Sequence, residues 1–329
     1  MKFLTKLLLS FTALILSHSV VSAEIVIAVV GKTKNDSFYE QSFNGCLKFA
    51  QKHIDLKCLY DGPADYQDVR GQVNVVNAMI KSRVDGILIS ITDSNFLVKG
   101  ALILAKKENI PVMTFDSDLL PEHREYRLAY AGTDNFDFGA ALGHYAKKHK
   151  TKGTTEICIQ SGNRTTPNLN QRIAGVRFAL SGNKLNQKLN NVNGWQESDR
   201  CPLYTKGRRS TALYQLEFLL AEESPPIFLA VAGFAQFSQD YIKKISPYKE
   251  QIMSRKKVII SADTEMIQLE ALSKNLSTIN IGQRPFEMGR LGTELLYDYI
   301  INNNLPKQEL NFLDYHYCTS SNTDSCIIN

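Results

Sequence analysis

What this sequence lacks narrows its chemistry before anything else is read. No two of its six cysteines are spaced C-x-x-C, which disfavours a zinc site. It has no glycine-rich dinucleotide fingerprint and no phosphate loop. A Gly-x-Ser-x-Gly elbow, a His-Glu-x-x-His helix and a cysteine–histidine nucleophile pattern are also missing, so the common hydrolase chemistries have no foothold. No D-x-[DN]-x-[DN]-G loop offers a calcium cage. Basic residues are scattered; "KKHK" at 147–150 and "RKK" at 255–257 read as solvated helix ends or strand entries, and no stripe suits a nucleic acid. These absences lead us to expect no cofactor, no metal and no catalysis.

The 329 residues, 43% apolar and 22% charged, have ordinary globular composition, and the length suggests two lobes. Residues 1–23 stand apart. Lys2 and Lys6 precede the apolar run Leu7 to Leu16, and Val21-Ser22-Ala23 supplies the small residues of a cleavage site. This is the pattern of a cleaved secretory signal, and its apolar run is short for a membrane span. Export changes the meaning of the cysteines, because an even count in an oxidising compartment suggests disulfides. Nearness in sequence favours Cys46 with Cys58 and Cys318 with Cys326, leaving Cys158 with Cys201; buried free thiols are the alternative.

From Glu24 onward strands and helices alternate. Ile25 to Val30 is a continuous apolar, β-branched run of the kind buried on both faces of a sheet. Helical spacing follows over residues 37–53, with Ser37 as a candidate N-cap. "LKCLYDG", "VDGILISI", "IPVMTFDSD" and "RLAYAGTDN" read as further strands, each followed by a helix or a short turn. The second half repeats this order with "TEICIQSGN", "KLNNVNGW", "PIFLAVAGF", "KKVIISADT" and "LSTINIGQR". The pattern predicts an α/β fold of two Rossmann-like lobes, each with a parallel doubly wound sheet, facing a cleft.

In open α/β sheets ligands sit beyond the carboxyl ends of the strands. Those ends carry Asp36, Asp93, Asp116, Ser117, Asp118, Thr133, Asp134, Asn135, Asp263 and Gln283, a helix start in the second half carries Asn168, Asn170 and Arg172, and Phe38 and Tyr39 stand on the first strand-to-helix loop. Carboxylates, amides and a guanidinium can each hold neighbouring hydroxyls, and an aromatic face covers the C–H patch of a sugar ring. On this reading Phe38 and Tyr39 stand exposed until a ligand buries them. The bland alternatives are that Asp93 and Asp134 cap helices, that Phe38 is a hydrophobic staple and that Trp195 packs at the end of its strand.

"DSFYEQSFNG", "VDGILISITDS", "IPVMTFDSDLLP", "YAGTDNFDFG", "NQRIAGV", "VIISADT" and "INIGQRPFEMG" occur in the order seen in type I periplasmic sugar-binding proteins, and the chain resembles that family along nearly all of its length. The resemblance implies two lobes joined by a three-strand hinge, with 24–134 and 284–305 in the first and 135–283 and 306–329 in the second. It implies a monomer in the periplasm that closes on a sugar or polyol and presents it to an ABC permease; a chemoreceptor or sensor kinase is the alternative partner. By position it gives ligand-binding roles to Asp36, Phe38, Tyr39, Asp116, Ser117, Asn135, Arg172, Asp263 and Gln283. Ser117 replaces a frequent arginine, and Ala232-Gly233 replaces a frequent Asn-Asp, so the ligand or its orientation differs from that of ribose binders. A LacI-type regulator shares the core fold, but a secretion signal stands where its helix-turn-helix would be. An exported glycosidase would need paired acids such as Asp116 and Asp263.

Overall fold

The computed structural model describes residues 24–326 apart from Gln67 and Leu185. The expected signal at 1–23 lies outside the described residues. Thirteen strands follow in chain order: Ile25–Val30 (β1), Leu56–Asp61 (β2), Gly86–Ile89 (β3), Val112–Phe115 (β4), Tyr130–Gly132 (β5), Thr155–Ser161 (β6), Trp195–Glu197 (β7), Leu203–Tyr204 (β8), Ile227–Ala230 (β9), Ile259–Ala262 (β10), Ile279–Gly282 (β11), Leu310–Phe312 (β12) and His316–Cys318 (β13). They form two sheets. The first runs β12-β5-β4-β3-β1-β2 and is parallel throughout. The second runs β13-β11-β10-β9-β6-β7, with β8 beside β6, and its one antiparallel pair is β11 with β13.

Helices cover both faces of each sheet, which is why β3, β4, β9, β10 and β11 are buried along their whole length. Separate apolar cores fill the two lobes. Each lobe borrows a helix from beyond a crossing. Pro285–Asn302 packs on Ser37–Ala50 in the first lobe, and Asn135–Ala146 packs on Pro167–Ser181 in the second. The approach of the latter pair needs glycine: a Cβ on Gly139 would strike the backbone of Arg172, and one on Gly175 the carbonyl of Phe136. This contact fixes Asn135 and Arg172 side by side.

The chain crosses between lobes three times, after β5, after β11 and between β12 and β13. The third crossing departs from the expected boundary at 305/306. Leu310 pairs with Tyr130 in the first sheet, so the passage falls at residues 313–315. β12 and β13 are three-residue edge strands with little burial, and no apolar run announces them. "KLNNVNGW" likewise becomes a strand only from Trp195, because a turn through Asn193 and Gly194, both at positive φ, precedes it. Trp195 is buried, as expected of a packing residue. All three disulfides form in the expected pairing: Cys46–Cys58 ties helix Ser37–Ala50 to β2, Cys158–Cys201 anchors the loop after β7 to β6, and Cys318–Cys326 closes the last turn.

Candidate functional site

The strand-end loops of the two sheets face each other across the cleft, and Asp116 and Asp263 occupy equivalent places in the two lobes. Each directly follows its strand, β4 or β10, and each has a left-handed backbone, with φ of 55° and 73°. Aspartate tolerates this conformation better than most residues, and both side chains are buried in the cleft.

Asp116 is the hub of the first lobe. Its Oδ2 accepts from Ser90 Oγ at 2.8 Å and Tyr39 Oη at 3.2 Å, and it pairs with Lys32 Nζ at 3.1 Å. Its Oδ1 reaches across the cleft, accepting from Asn168 Nδ2 at 3.0 Å and Arg172 Nη2 at 3.4 Å. Lys32 crosses too, donating to Asn168 Oδ1 at 3.0 Å. Burial works to raise the Asp116 carboxyl, but the charges of Lys32 and Arg172 and the Ser90 hydroxyl outweigh it and hold it below the ordinary carboxylate range. The Lys32 ammonium, buried on the same cluster, is pushed down by desolvation more than Asp116 restores it.

Arg172 spends its whole fork: Nε on Asn135 Oδ1 at 2.7 Å, Nη1 on the Val231 carbonyl at 3.0 Å, and Nη2 on Gln283 Oε1 at 2.9 Å as well as Asp116. Gln283 in turn donates to Asp263 Oδ1 at 2.8 Å, and the Gly233 amide reaches Asp263 Oδ2 at 3.3 Å. Among the described residues no cation bonds Asp263 directly, and burial pushes its carboxyl up despite the nearby Arg172 charge.

These groups surround a cavity of about 40 Å³ between the lobes. Of the sequence-derived candidates, Phe38, Tyr39, Asp116, Arg172, Asp263 and Gln283 line it. Three do not. Asp36 caps helix Ser37–Ala50 through the Phe38 amide at 3.0 Å and also accepts from Tyr66 Oη. Ser117 is fully buried off the cavity wall. Asn135 stands behind the wall, where it holds Arg172 and donates to the Asp116 carbonyl. The two rings are not exposed either: Phe38 and Tyr39 are 6% and 2% accessible, because both pack in the first lobe's core, with Phe115 and Tyr66 around Tyr39. Asp93 and Asp134 cap helices, each through its side chain and the backbone amides that follow it.

Asn168, one of the helix-start polar groups, also lines the cavity, and so do Lys32, Tyr66, Thr92, Phe234 and Phe237, which the sequence pattern does not single out. Lys32 and Thr92 obey the same strand-end rule as the candidates. Tyr66 and Phe237 sit in loops that no periodicity marks. The cavity adjoins a larger groove of about 540 Å³ that shares Phe38, Phe237, Asp263 and Gln283. Contacts along the cleft join its two rims: Gln41 donates to Glu265 at 2.7 Å, and Arg209 reaches the Asn35 carbonyl at 2.9 Å and Asp36 at 3.6 Å.

The whole-chain architecture is shared with solved proteins. One is an ABC transporter solute-binding protein from Burkholderia graminis in complex with D-arabinose, at 22% identity, 92% coverage of this chain, 98% of that one and a TM-score of 0.78. Another, from Agrobacterium vitis with bound D-fucose, has 22% identity, coverage of 91% and 97%, and a TM-score of 0.76. A third, from Bacillus halodurans with bound myo-inositol, has 16% identity, coverage of 93% and 98%, and a TM-score of 0.72. Residues 27–304 match the family described as periplasmic binding protein domain, and this chain belongs to that family.

Proposed function

We propose that this protein is a periplasmic, non-catalytic solute receptor that encloses a small polyhydroxylated ligand between its lobes and delivers it to an ABC importer. One observation carries the reading: Asp116 of the first lobe and Arg172 of the second meet at 3.4 Å on the wall of a cavity also lined by Phe38, Tyr39 and Asp263. Carboxylates, amides and a guanidinium bonded to one another across a cleft are a hydroxyl-recognising set whose mutual bonds a polyol can take over. Phe38 and Phe237 supply the apolar faces that a sugar ring requires.

A cavity of about 40 Å³ has room for water rather than a sugar ring, so the ligand enters a more open form and the three crossings act as the hinge. Closure around it follows from differential affinity, since only the closed state presents both aspartates at once. The solved neighbours' ligands, D-arabinose, D-fucose and myo-inositol, define the class to test. Export to the periplasm agrees with the leader-like residues 1–23 and with three disulfides, and no helix among the described residues is long and apolar enough to cross a membrane. The test is a thermal-shift screen of the purified protein against pentoses, hexoses, deoxy sugars and inositols, followed by calorimetry. A ligand at a hundred times its Kd should add about 2.7 kcal/mol of stability. A flat response across the whole library would overturn the assignment, and turnover of any of these sugars would overturn the non-catalytic part.

A further inference from the structure

Most of the charged and amide groups around the inner cavity bond one another, whereas the hydroxyl of Thr92 stands apart from that network. Thr92 follows β3 and is 2% accessible, and its Oγ1 has no hydrogen-bond partner among the described residues. Its backbone is firmly placed: the Thr92 amide donates to Gln72 Oε1 at 3.2 Å, and Gln72 Nε2 donates to the Ser90 and Gly31 carbonyls at 2.8 and 2.9 Å. Gln72 thereby clamps the ends of β1 and β3 together and fixes Thr92 beside the loop that carries Lys32. The nearby hydroxyls of Ser90 and Tyr39 are both spent on Asp116. Ser117, Thr133 and Ser161 also have unpaired buried hydroxyls, but none of them lines the inner cavity, whereas Thr92 does.

Burying a hydroxyl without a partner is unfavourable, and replacing it by a methyl group of similar shape removes that penalty. A chain that keeps threonine at such a point, on a rigid strand end lining the ligand cavity, is holding a donor and acceptor for something that arrives from outside. We infer that the Thr92 hydroxyl is a ligand-recognition group, which bonds a hydroxyl or ring oxygen on the first-lobe side of a bound sugar or polyol. This rests on the reading of the cavity as a polyol site. A hydroxyl can both give and accept, so Thr92 favours a ligand oxygen that does the same and discriminates against a deoxy position there.

The experiment compares wild type, Thr92→Val and Thr92→Ser by calorimetry with D-arabinose, D-fucose and myo-inositol, together with the melting temperatures of the ligand-free proteins. Thr92→Val is expected to bind the tightest of the three about tenfold more weakly, Thr92→Ser to keep wild-type affinity, and ligand-free Thr92→Val to melt no lower than wild type. Equal affinity of the valine variant, with wild type binding normally, would overturn the assignment alone. A lower melting temperature of ligand-free Thr92→Val would do the same, by showing that the hydroxyl already has a partner in the resting protein. If wild type binds none of the three compounds, the polyol reading fails for this class and the role of Thr92 fails with it.

Discussion

Asp116 and Asp263 occupy equivalent positions in two similar lobes, each one residue past a buried strand and each in the left-handed region, yet their surroundings drive them in opposite directions. Asp116 faces Lys32 and Arg172 and is held ionised; Asp263 meets an amide side chain and a backbone N–H and is pushed toward its neutral form. The fold supplies the position and the neighbours supply the chemistry. Asp116 therefore acts as the counter-ion that holds the cleft together, with five donors around its two oxygens. Asp263 keeps acceptor capacity free and borders both the cavity and the adjoining groove, which suits it to meeting the ligand.

The largest expected effect tests that asymmetry directly. Asp116→Asn strands Lys32 and Arg172 without their shared counter-ion, and removing one side of a buried ion pair costs about 3–5 kcal/mol. Asp263→Asn removes a charge that burial already disfavours and keeps a polar group for Gln283, so its cost should stay within about 1 kcal/mol. Urea titrations of both variants at neutral pH give the comparison, and calorimetry should show Asp263→Asn losing ligand affinity in spite of its stability. Equal unfolding costs would abolish the distinction drawn between the two acids.

The lobes also differ in how they are stapled. The Cys158–Cys201 bond closes a separation of 43 residues in the second lobe, against 12 for Cys46–Cys58 in the first and 8 for Cys318–Cys326 at the last turn. Loop-closure entropy assigns about 4 kcal/mol to the longest loop and about 2.5 kcal/mol to the shortest. Double-serine variants should therefore lower the melting temperature most for the 158/201 pair and least for the 318/326 pair. The reverse order would mean that the second lobe's packing, not its staple, holds the loop after β7.

Both the fold and much of the site were legible because they rest on alternation: apolar runs named the buried strands, and the residues just past them named the cleft. Lys32 escaped attention because a lysine after a strand resembles any surface lysine, although its place beside Gly31 obeys the rule that found Asp116. In this structure Asp36 and Asn135 are occupied otherwise, because a short polar side chain at a helix start has backbone amides or a neighbouring arginine within close reach. Burial of Phe38 and Tyr39 could not be read because the partners that cover them in the first-lobe core, Phe115 and Tyr66 among them, come from distant parts of the chain and leave no local pattern. β12 and β13 escaped for a related reason, since three-residue edge strands take their conformation from the sheets they join.

A smaller effect concerns the acids along the cleft. Burial, with the charges of Asp36 and Asp263 added, raises Glu265 to about 7, and burial raises Asp36 to about 6 against the pull of Arg209. The folded form thus holds protons that the unfolded chain releases near pH 4. Stability from these groups is present at low pH and is lost as pH rises through about 6 to 7. Asp116 has the opposite sign: its contribution is present above the unfolded carboxylate range and is lost as pH falls below it. His316, lowered to about 4 by burial, works in the opposite direction, so the cleaner measurement is the difference between two proteins. Ligand-free wild type should lose melting temperature relative to Glu265→Gln as pH rises from 5 to 8. A difference that stays constant over that range would contradict the assignment.

The smallest effect concerns how many donors Asp116 can lose. Tyr39→Phe deletes one hydroxyl 3.2 Å from Oδ2 and leaves the ring packed against Phe115 and Tyr66. Ser90, Lys32, Asn168 and Arg172 remain, so the carboxylate stays satisfied and the change should cost no more than about 1 kcal/mol. Ser90→Ala removes a shorter bond, 2.8 Å, to the same oxygen and should cost somewhat more. The double variant is the sharper measurement. If the remaining cations hold the carboxylate alone, the two costs add; if the hydroxyls share its charge, the double cost exceeds the sum, as expected of residues in one network. Additivity would locate the asymmetry between the lobes in Lys32 and Arg172 alone, and excess cost would extend it to the whole shell around Asp116.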